Sequence, residues 1–392
     1  LKSCSIALVC CLLFSSSFHV FAQEKAASSQ RVGAIRLDKN VEKAISEGFK
    51  VGLLTKKTVH GEMISSKGVE VFNWSISRGS INLLLELKSI FEVFSVVKKF
   101  SPDLVFSVAS KPIIYSSIVC KLLGVHARVN ALGGLGFIFS SKKLFSKIIR
   151  SFVIPSFRLL LKGKSSILIL QNTDDQKKLL SLKVIKKERT RLIKGSGVDV
   201  NLFYPEKNPN GIPVVLLPSR FLWDKGIGEF VESAKILKEQ GIKARFVLAG
   251  KHDEDNPENI PFSKIEEWVE QELVENWGFV ENMSKAINQS SIVCLPSYRE
   301  GLPKCLLEAA SCARPIVATD VPGCREIVLH GKNGLLVEAK NIESLVIALN
   351  KLLTENNLRK EMGQKGREMV LKEFSEDLIS NQVSEVWRQV LN

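Results

Sequence analysis

The chain has 392 residues, 45% of them hydrophobic and 24% charged, which is the balance of a globular protein and excludes wholesale disorder or a multi-span membrane protein. Its 55 Lys and Arg against 41 Asp and Glu give a net charge of +14, which asks for an anionic partner. Eight cysteines without CxxC pairing and five histidines without metal spacing argue for buried thiols and against a zinc site.

The first segment, LKSCSIALVCCLLFSSSFHVFAQ, admits two readings. Its Lys, apolar run and Val-Phe-Ala end suit a signal peptide. The same run suits a buried parallel strand opening an α/β domain, and it is too short to span a bilayer. Strands are then predicted at 49–55, 69–74, 104–109, 127–132 and 166–172, with helical patterns such as 81–99 between them. This rhythm means a doubly wound parallel sheet over residues 1–193. The stretch KGSGVDVNLFYPEKNPNGIP, 194–213, is rich in Gly, Pro and Asn and reads as an interdomain linker. A second series occupies 214–375, with strands at 214–220, 244–250, 275–280, 291–297, 315–320 and 334–338. The chain closes in a helical tail, whose last part, 376–392, could pack back on the amino-terminal domain. Two such domains would face a central cleft lined by loops after the strands' carboxyl ends.

Two segments carry residues suited to chemistry. PSRFLWDKG sets Arg220 at a strand end and Lys225 just before a helix beginning near Gly226, a combination fit for a diphosphate or simply a solvated turn. On either reading Lys225 is expected to be a surface loop lysine of little weight in stability. SYREGLPKCLLEAASC sets Glu300 in a loop and Glu308 among Leu306, Leu307, Ala309 and Ala310 of a helix whose first residue would be Pro303. Gly301 and Leu302 offer backbone N–H groups there. Burying an unpaired carboxylate is costly, so Glu308 either receives a ligand's hydroxyls or meets an Arg or solvent. The stretch 139–164, FSSKKLFSKIIRSFVIPSFRLLLKGK, is basic and apolar with no acid. It suits the surface of an anionic membrane or, more simply, a packed helix with a solvated Lys face.

PSRFLWDKG, the spacing of Glu300 and Glu308 in EGLPKCLLEA, VATDVPGCREIV and HGKNGLLV resemble, together and in order, the donor-binding domain of glycosyltransferase family 4 over about 195–375. The resemblance implies the GT-B architecture of two Rossmann-like domains and retaining transfer from a nucleotide-activated sugar. It implies that Arg220 and Lys225 hold the donor diphosphate, Glu300 the sugar hydroxyls and Glu308 the ribose. The backbone at Gly301, Leu302 and Pro303 would lie by sugar and phosphates, though Pro303 has no N–H, and Val280 beside the base. No metal is required if cationic side chains neutralise the leaving diphosphate. Nucleotide-sugar substrates are cytoplasmic, which favours the strand reading of the first segment.

Residues 110–139 resemble the acceptor domain of bacterial transferases that extend lipid-linked saccharides for capsule or O-antigen. There the loop at about 15–38 is poor in glycine and Ser110 stands where a more polar or basic residue is expected, so no acceptor-side catalytic residue is assigned. His126 reads as structural. The expected activity is transfer from a UDP-sugar to a polyprenyl-diphosphate-linked saccharide, at the inner face of the cytoplasmic membrane. The alternatives are a soluble GT-B enzyme with a free-saccharide acceptor, and a basic nucleic-acid-binding or degenerate scaffold protein. The chain shows no nucleic-acid-binding motif, so nucleic acid is not expected as a partner.

Overall fold

The structure is a computed structural model that describes residues 4–10, 38–56, 64–76, 82–135, 144–163, 165–207, 209–254 and 256–392. Most of the loop at 15–38 and residues 139–143 and 164 of the basic stretch lie outside the described residues. The chain divides into two compact units, 1–196 with 377–392, and 197–376.

The first unit is built on a parallel sheet of seven strands in the order β3-β2-β1-β4-β5-β6-β7. The strands are β1 (Ser5–Cys10), β2 (Lys50–Thr55), β3 (Val69–Asn73), β4 (Leu104–Val108), β5 (Ala127–Leu132), β6 (Ser166–Leu170) and β7 (Thr190–Leu192). Residues Ser5–Cys10 of the apolar run are thus a strand, paired on both sides with Ile6 opposite Val51 and Leu104. A strand hydrogen-bonded on both edges and covered on both faces has no polar face to show, hence its unbroken hydrophobicity. The short edge strand β7 had no sequence signal of its own.

Helices α1 (Lys39–Ser46), α2 (Leu83–Phe100), α3 (Ser110–Leu123), α4 (Leu144–Leu160) and α5 (Thr173–Ser181) connect these strands. Asn82 caps α2 by accepting from Leu84 N at 3.0 Å, and Asn172 caps α5 by accepting from Asp175 N at 2.8 Å. Successive residues of β4 serve opposite faces. Leu104 and Phe106 pack with Val41 of α1, and Val105 packs with Val93 and Val97 of α2 and Val119 of α3.

The second unit has six parallel strands ordered β10-β9-β8-β11-β12-β13. They are β8 (Val214–Pro218), β9 (Arg245–Ala249), β10 (Glu275–Gly278), β11 (Ile292–Leu295), β12 (Ile316–Thr319) and β13 (Gly334–Val337). Its helices are α6 (Ile227–Glu239), α7 (Phe262–Glu270), α8 (Met283–Gln289), α9 (Lys304–Ser311), α10 (Cys324–Ile327), α11 (Ile342–Thr354) and α12 (Asn356–Glu373). Val215 and Leu217 face α6 and α11, whereas Val214 and Leu216 face α8, α9 and α12.

The last helix, α13 (Glu376–Leu391), returns to the first unit. Its Ile379, Val383, Val386 and Trp387 join the core of Val41 and Phe106, and Arg388 pairs with Glu47 at 2.6 Å. The segment read as a linker, 194–213, is divided: the boundary between the units falls at Ser196–Gly197, and the part from Gly197 onward belongs to the second unit. Val198 and Phe203 are buried there, and Arg367 donates to the carbonyls of Phe203 at 3.0 Å and Val200 at 3.1 Å.

Candidate functional site

Strand β8 lies between β9 and β11, so the connections leaving β8 and β11 part to opposite sides of the sheet. Such a switch point is where open α/β sheets bind ligands. The loop after β8 carries Arg220, a short turn Trp223–Lys225 and Gly226, which starts α6. Gly226 has φ +74°, and a Cβ on it would stand 2.1 Å from the Pro296 carbonyl oxygen. Only glycine lets this turn press against the loop after β11. Asp224 ties the two together through its carbonyl, which accepts from Tyr298 N at 2.9 Å and Ser297 Oγ at 3.2 Å.

This contact brings Lys225 to Glu300, Nζ to Oε1 at 2.6 Å, with the side chains only 16% and 14% exposed. Lys225 is therefore largely withdrawn from solvent, which corrects the expectation that it is a surface loop lysine of little weight in stability. Burial pulls its pKa down, but attraction to Glu300, the hydrogen bond between them and nearby Asp224 outweigh that and raise it. Asp224 is pushed up by its own burial, and its Oδ1 is buried without a hydrogen-bond partner among the described residues. Arg220 is half exposed and ion-paired with Asp253 from beyond β9. Neither Asp253 nor Asp224 is marked out by the sequence, because their significance comes only from neighbours brought in by the fold.

Pro303 occupies the cap of α9 and the helix begins at Lys304, one residue later than the sequence reading. The preceding loop, with Gly301 and half-buried Leu302, is backed by Gly323, which has φ +84° and would place a Cβ 2.4 Å from the Gly301 carbonyl oxygen. The VPG turn after β12 thus supports the loop that carries Glu300. Glu308 is buried at 5% exposure among the apolar side chains of α9. Burial pushes its pKa up to about 7, with Lys304 lowering it and Glu376 raising it. Lys304 itself stands 3.7 Å from Glu376. Val280 packs half-buried on the core beyond β10, beside exposed Phe279, whose ring lies 4.0 Å from Lys251 Nζ.

The second unit thus unites Lys225 with Glu300, holds Arg220 on Asp253, and buries Glu308 one helix further on. A cation set against a carboxylate at a switch point can take an anion and a hydroxyl side by side. Among the described residues no group of three or more His, Cys, Asp or Glu could hold a metal ion. The described cysteines, 4, 120, 294, 305, 312 and 324, are free, and burial raises the thiols of 120 and 294. His126 is exposed.

Residues 201–369 match the family described as glycosyl transferases group 1, and residues 9–172 match that described as glycosyl transferase 4-like. Over 87% of its length the chain is 27% identical to 91% of the N,N'-diacetylbacillosaminyl-diphospho-undecaprenol alpha-1,3-N-acetylgalactosaminyltransferase of Campylobacter jejuni. Over 84% it is 24% identical to 86% of the Escherichia coli UDP-Gal:alpha-D-GlcNAc-diphosphoundecaprenol alpha-1,3-galactosyltransferase. Among solved structures, Thermosynechococcus elongatus sucrose-phosphate synthase superposes with a TM-score of 0.75 at 20% identity, covering 99% of each chain. Anabaena HepE in complex with UDP gives 0.73 at 16% identity, covering 98% of this chain and all of the other. With both units matched in order, two doubly wound sheets of the GT-B class and a switch point furnished with a paired cation and carboxylate, the chain belongs to the glycosyltransferases, a glycosyl transferase 4-like domain followed by a group 1 domain.

Proposed function

We propose that the enzyme is a retaining transferase that moves a sugar from a UDP-sugar to a saccharide carried on a polyprenyl diphosphate, for bacterial surface polysaccharide. The observation that carries this reading is similarity over most of both chains to two transferases named for undecaprenyl-diphosphate-linked acceptors. One of those names includes the UDP-sugar donor, and a structural neighbour is a UDP complex.

In this reading Lys225 and Arg220 receive the diphosphate, Arg220 leaving Asp253 to do so. Positive charge at the departing oxygens stabilises the transition state most, because that is where negative charge develops. Glu300 takes donor-sugar hydroxyls and Glu308 the ribose hydroxyls. Gly301, Leu302 and Pro303 flank sugar and phosphates, and Val280 flanks the base. The reaction as proposed needs no metal, since side-chain cations neutralise the leaving group, and excess chelator leaves its rate unchanged. The enzyme works at the inner face of the cytoplasmic membrane, drawn there by its positive charge and lipid-borne acceptor. No described helix is long and apolar enough to cross a membrane.

The test is a panel of nucleotide sugars offered with a polyprenyl-diphosphate saccharide in detergent. Release of UDP that requires both, with the anomeric configuration kept in the product, is the expected result. Release with a free saccharide alone would favour the soluble enzyme, and donor binding without turnover would favour a scaffold.

A further inference from the structure

Helices α2, α3 and α4 form one layer over the first sheet. Their inner sides give Val93 and Val97, Ile113 and Val119, and Val153 and Phe157 to the core. The outer side of α2 carries Leu84, Leu87 and Phe91, exposed at 76%, 53% and 68%. These positions are spaced i, i+3, i+7 and so form one stripe. Exposed Leu83 and Leu85 flank it, and Leu122 of α3 and Phe152 of α4 are exposed on the neighbouring helices. Large apolar side chains gathered on one face of a protein in water mark a surface that meets something else.

The charges on α2 indicate what that partner is. Lys88, Lys98 and Lys99 are exposed, and helical spacing puts Lys88 and Lys98 on the same stripe as the leucines. Both acids of the helix are engaged elsewhere: Glu86 holds Lys111 at 2.8 Å, and Glu92 accepts from Ser75 N at 2.8 Å and Ser75 Oγ at 2.6 Å. The stripe of Leu84, Leu87 and Phe91 is apolar with cations along it, and the one acid at its flank, Glu92, is already held by Ser75. An apolar protein partner would account for the leucines and leave the lysines unmatched. A bilayer with anionic headgroups matches both, because leucine and phenylalanine enter the acyl boundary while lysine reaches back to phosphate.

We propose that the outward stripe of α2, Leu84, Leu87 and Phe91 with Lys88, Lys98 and Lys99, is the surface by which the protein lies on an anionic lipid bilayer. This rests on the reading that the acceptor is lipid-borne. It assigns the contact to α2, apart from the basic stretch at 139–164.

Sedimentation with vesicles of phosphatidylglycerol and phosphatidylcholine, against phosphatidylcholine alone, tests it. The wild-type chain sediments with the anionic vesicles. Leu84→Ser, Leu87→Ser and Phe91→Ser together weaken that binding by about tenfold or more, since they remove the buried apolar area. Their melting temperature stays at the wild-type value, because the side chains are already exposed. Lys88→Gln, Lys98→Gln and Lys99→Gln together abolish the preference for anionic vesicles. A wild-type chain left in the supernatant, or a serine variant that sediments like wild type, overturns the proposal. So does a wild-type dimer that the serine changes render monomeric without any vesicle binding. Turnover of a polyprenyl-diphosphate saccharide in detergent separates the two levels: activity there without vesicle binding sinks the docking surface alone. Stripe-dependent vesicle binding without any such turnover sinks the acceptor alone.

Discussion

Glu308 sits in an apolar helix and holds its proton up to about pH 7. Between the ordinary glutamate value of 4.5 and about 7, the folded chain keeps a proton that the unfolded chain has released. The contribution of this group to stability is therefore full below about 4.5, falls as pH rises, and is gone above about 7. The shift is worth on the order of 3 kcal/mol. Glu308→Gln is accordingly expected to raise the melting temperature near pH 8 and leave it almost unchanged near pH 5. If the carboxylate takes ribose hydroxyls, donor affinity in the wild type strengthens as pH rises through about 7, and in the variant it is weak and flat. Calorimetric titration with UDP at several pH values measures both.

Lys225 asks for a different pair of readouts. Removing a transition-state contact to a leaving oxygen costs about 10²–10³ in rate, and Lys225→Ala is expected to lose that much. It also leaves Glu300 half-buried and unpaired, at about 2 kcal/mol of stability. Lys225→Met combined with Glu300→Gln is expected to recover the melting temperature but none of the turnover, which separates the structural share from the chemical one. The sequence showed both residues but not their pairing, because 75 positions separate them. For the same reason it could not show that Arg220 rests on Asp253, or that Glu376 stands near Glu308.

At the scale of elements the sequence was far more legible. Every predicted strand is present in the described residues, and Ser5–Cys10 of the first segment form a strand as well. Buried parallel strands announce themselves as apolar runs, and helices by their period. Two features escaped: β7, whose three residues are too few for a period, and the packing of 197–213, where long-range side-chain and carbonyl contacts hold a stretch whose Pro and Asn suggest a loose connection. Glycine was the other blind spot. Gly226 looks like an ordinary turn residue, yet the approach of the β8 turn to Pro296 depends on it. Gly226→Ala forces both a positive φ and a clash with backbone, and is expected to cost about 3 kcal/mol or more in urea unfolding. It should also cut turnover beyond what instability explains, because the turn it moves carries Lys225.

At the scale of the whole molecule, the last helix comes back to complete the core of the first unit. Trp387 is fully buried, with its ring 5.7 Å from that of Phe106. Trp387→Ala is expected to lower stability by about 3–5 kcal/mol. Because the second unit has its own two-sided core, the loss should appear in denaturant as an early transition of the first unit, leaving UDP binding intact.

The chain passes between the units twice, and the two passages touch. Val198 N donates to the Phe374 carbonyl at 2.9 Å, and Glu376 N donates to the Val198 carbonyl at 3.0 Å. Gly197 packs so close that a Cβ would lie 2.8 Å from the Glu376 Cα. The second unit is in effect an insertion whose ends already meet, an arrangement that proteins accept readily. Residues 197–376 should therefore be excisable as one self-contained module, or exchangeable for another of its kind at a single paired seam.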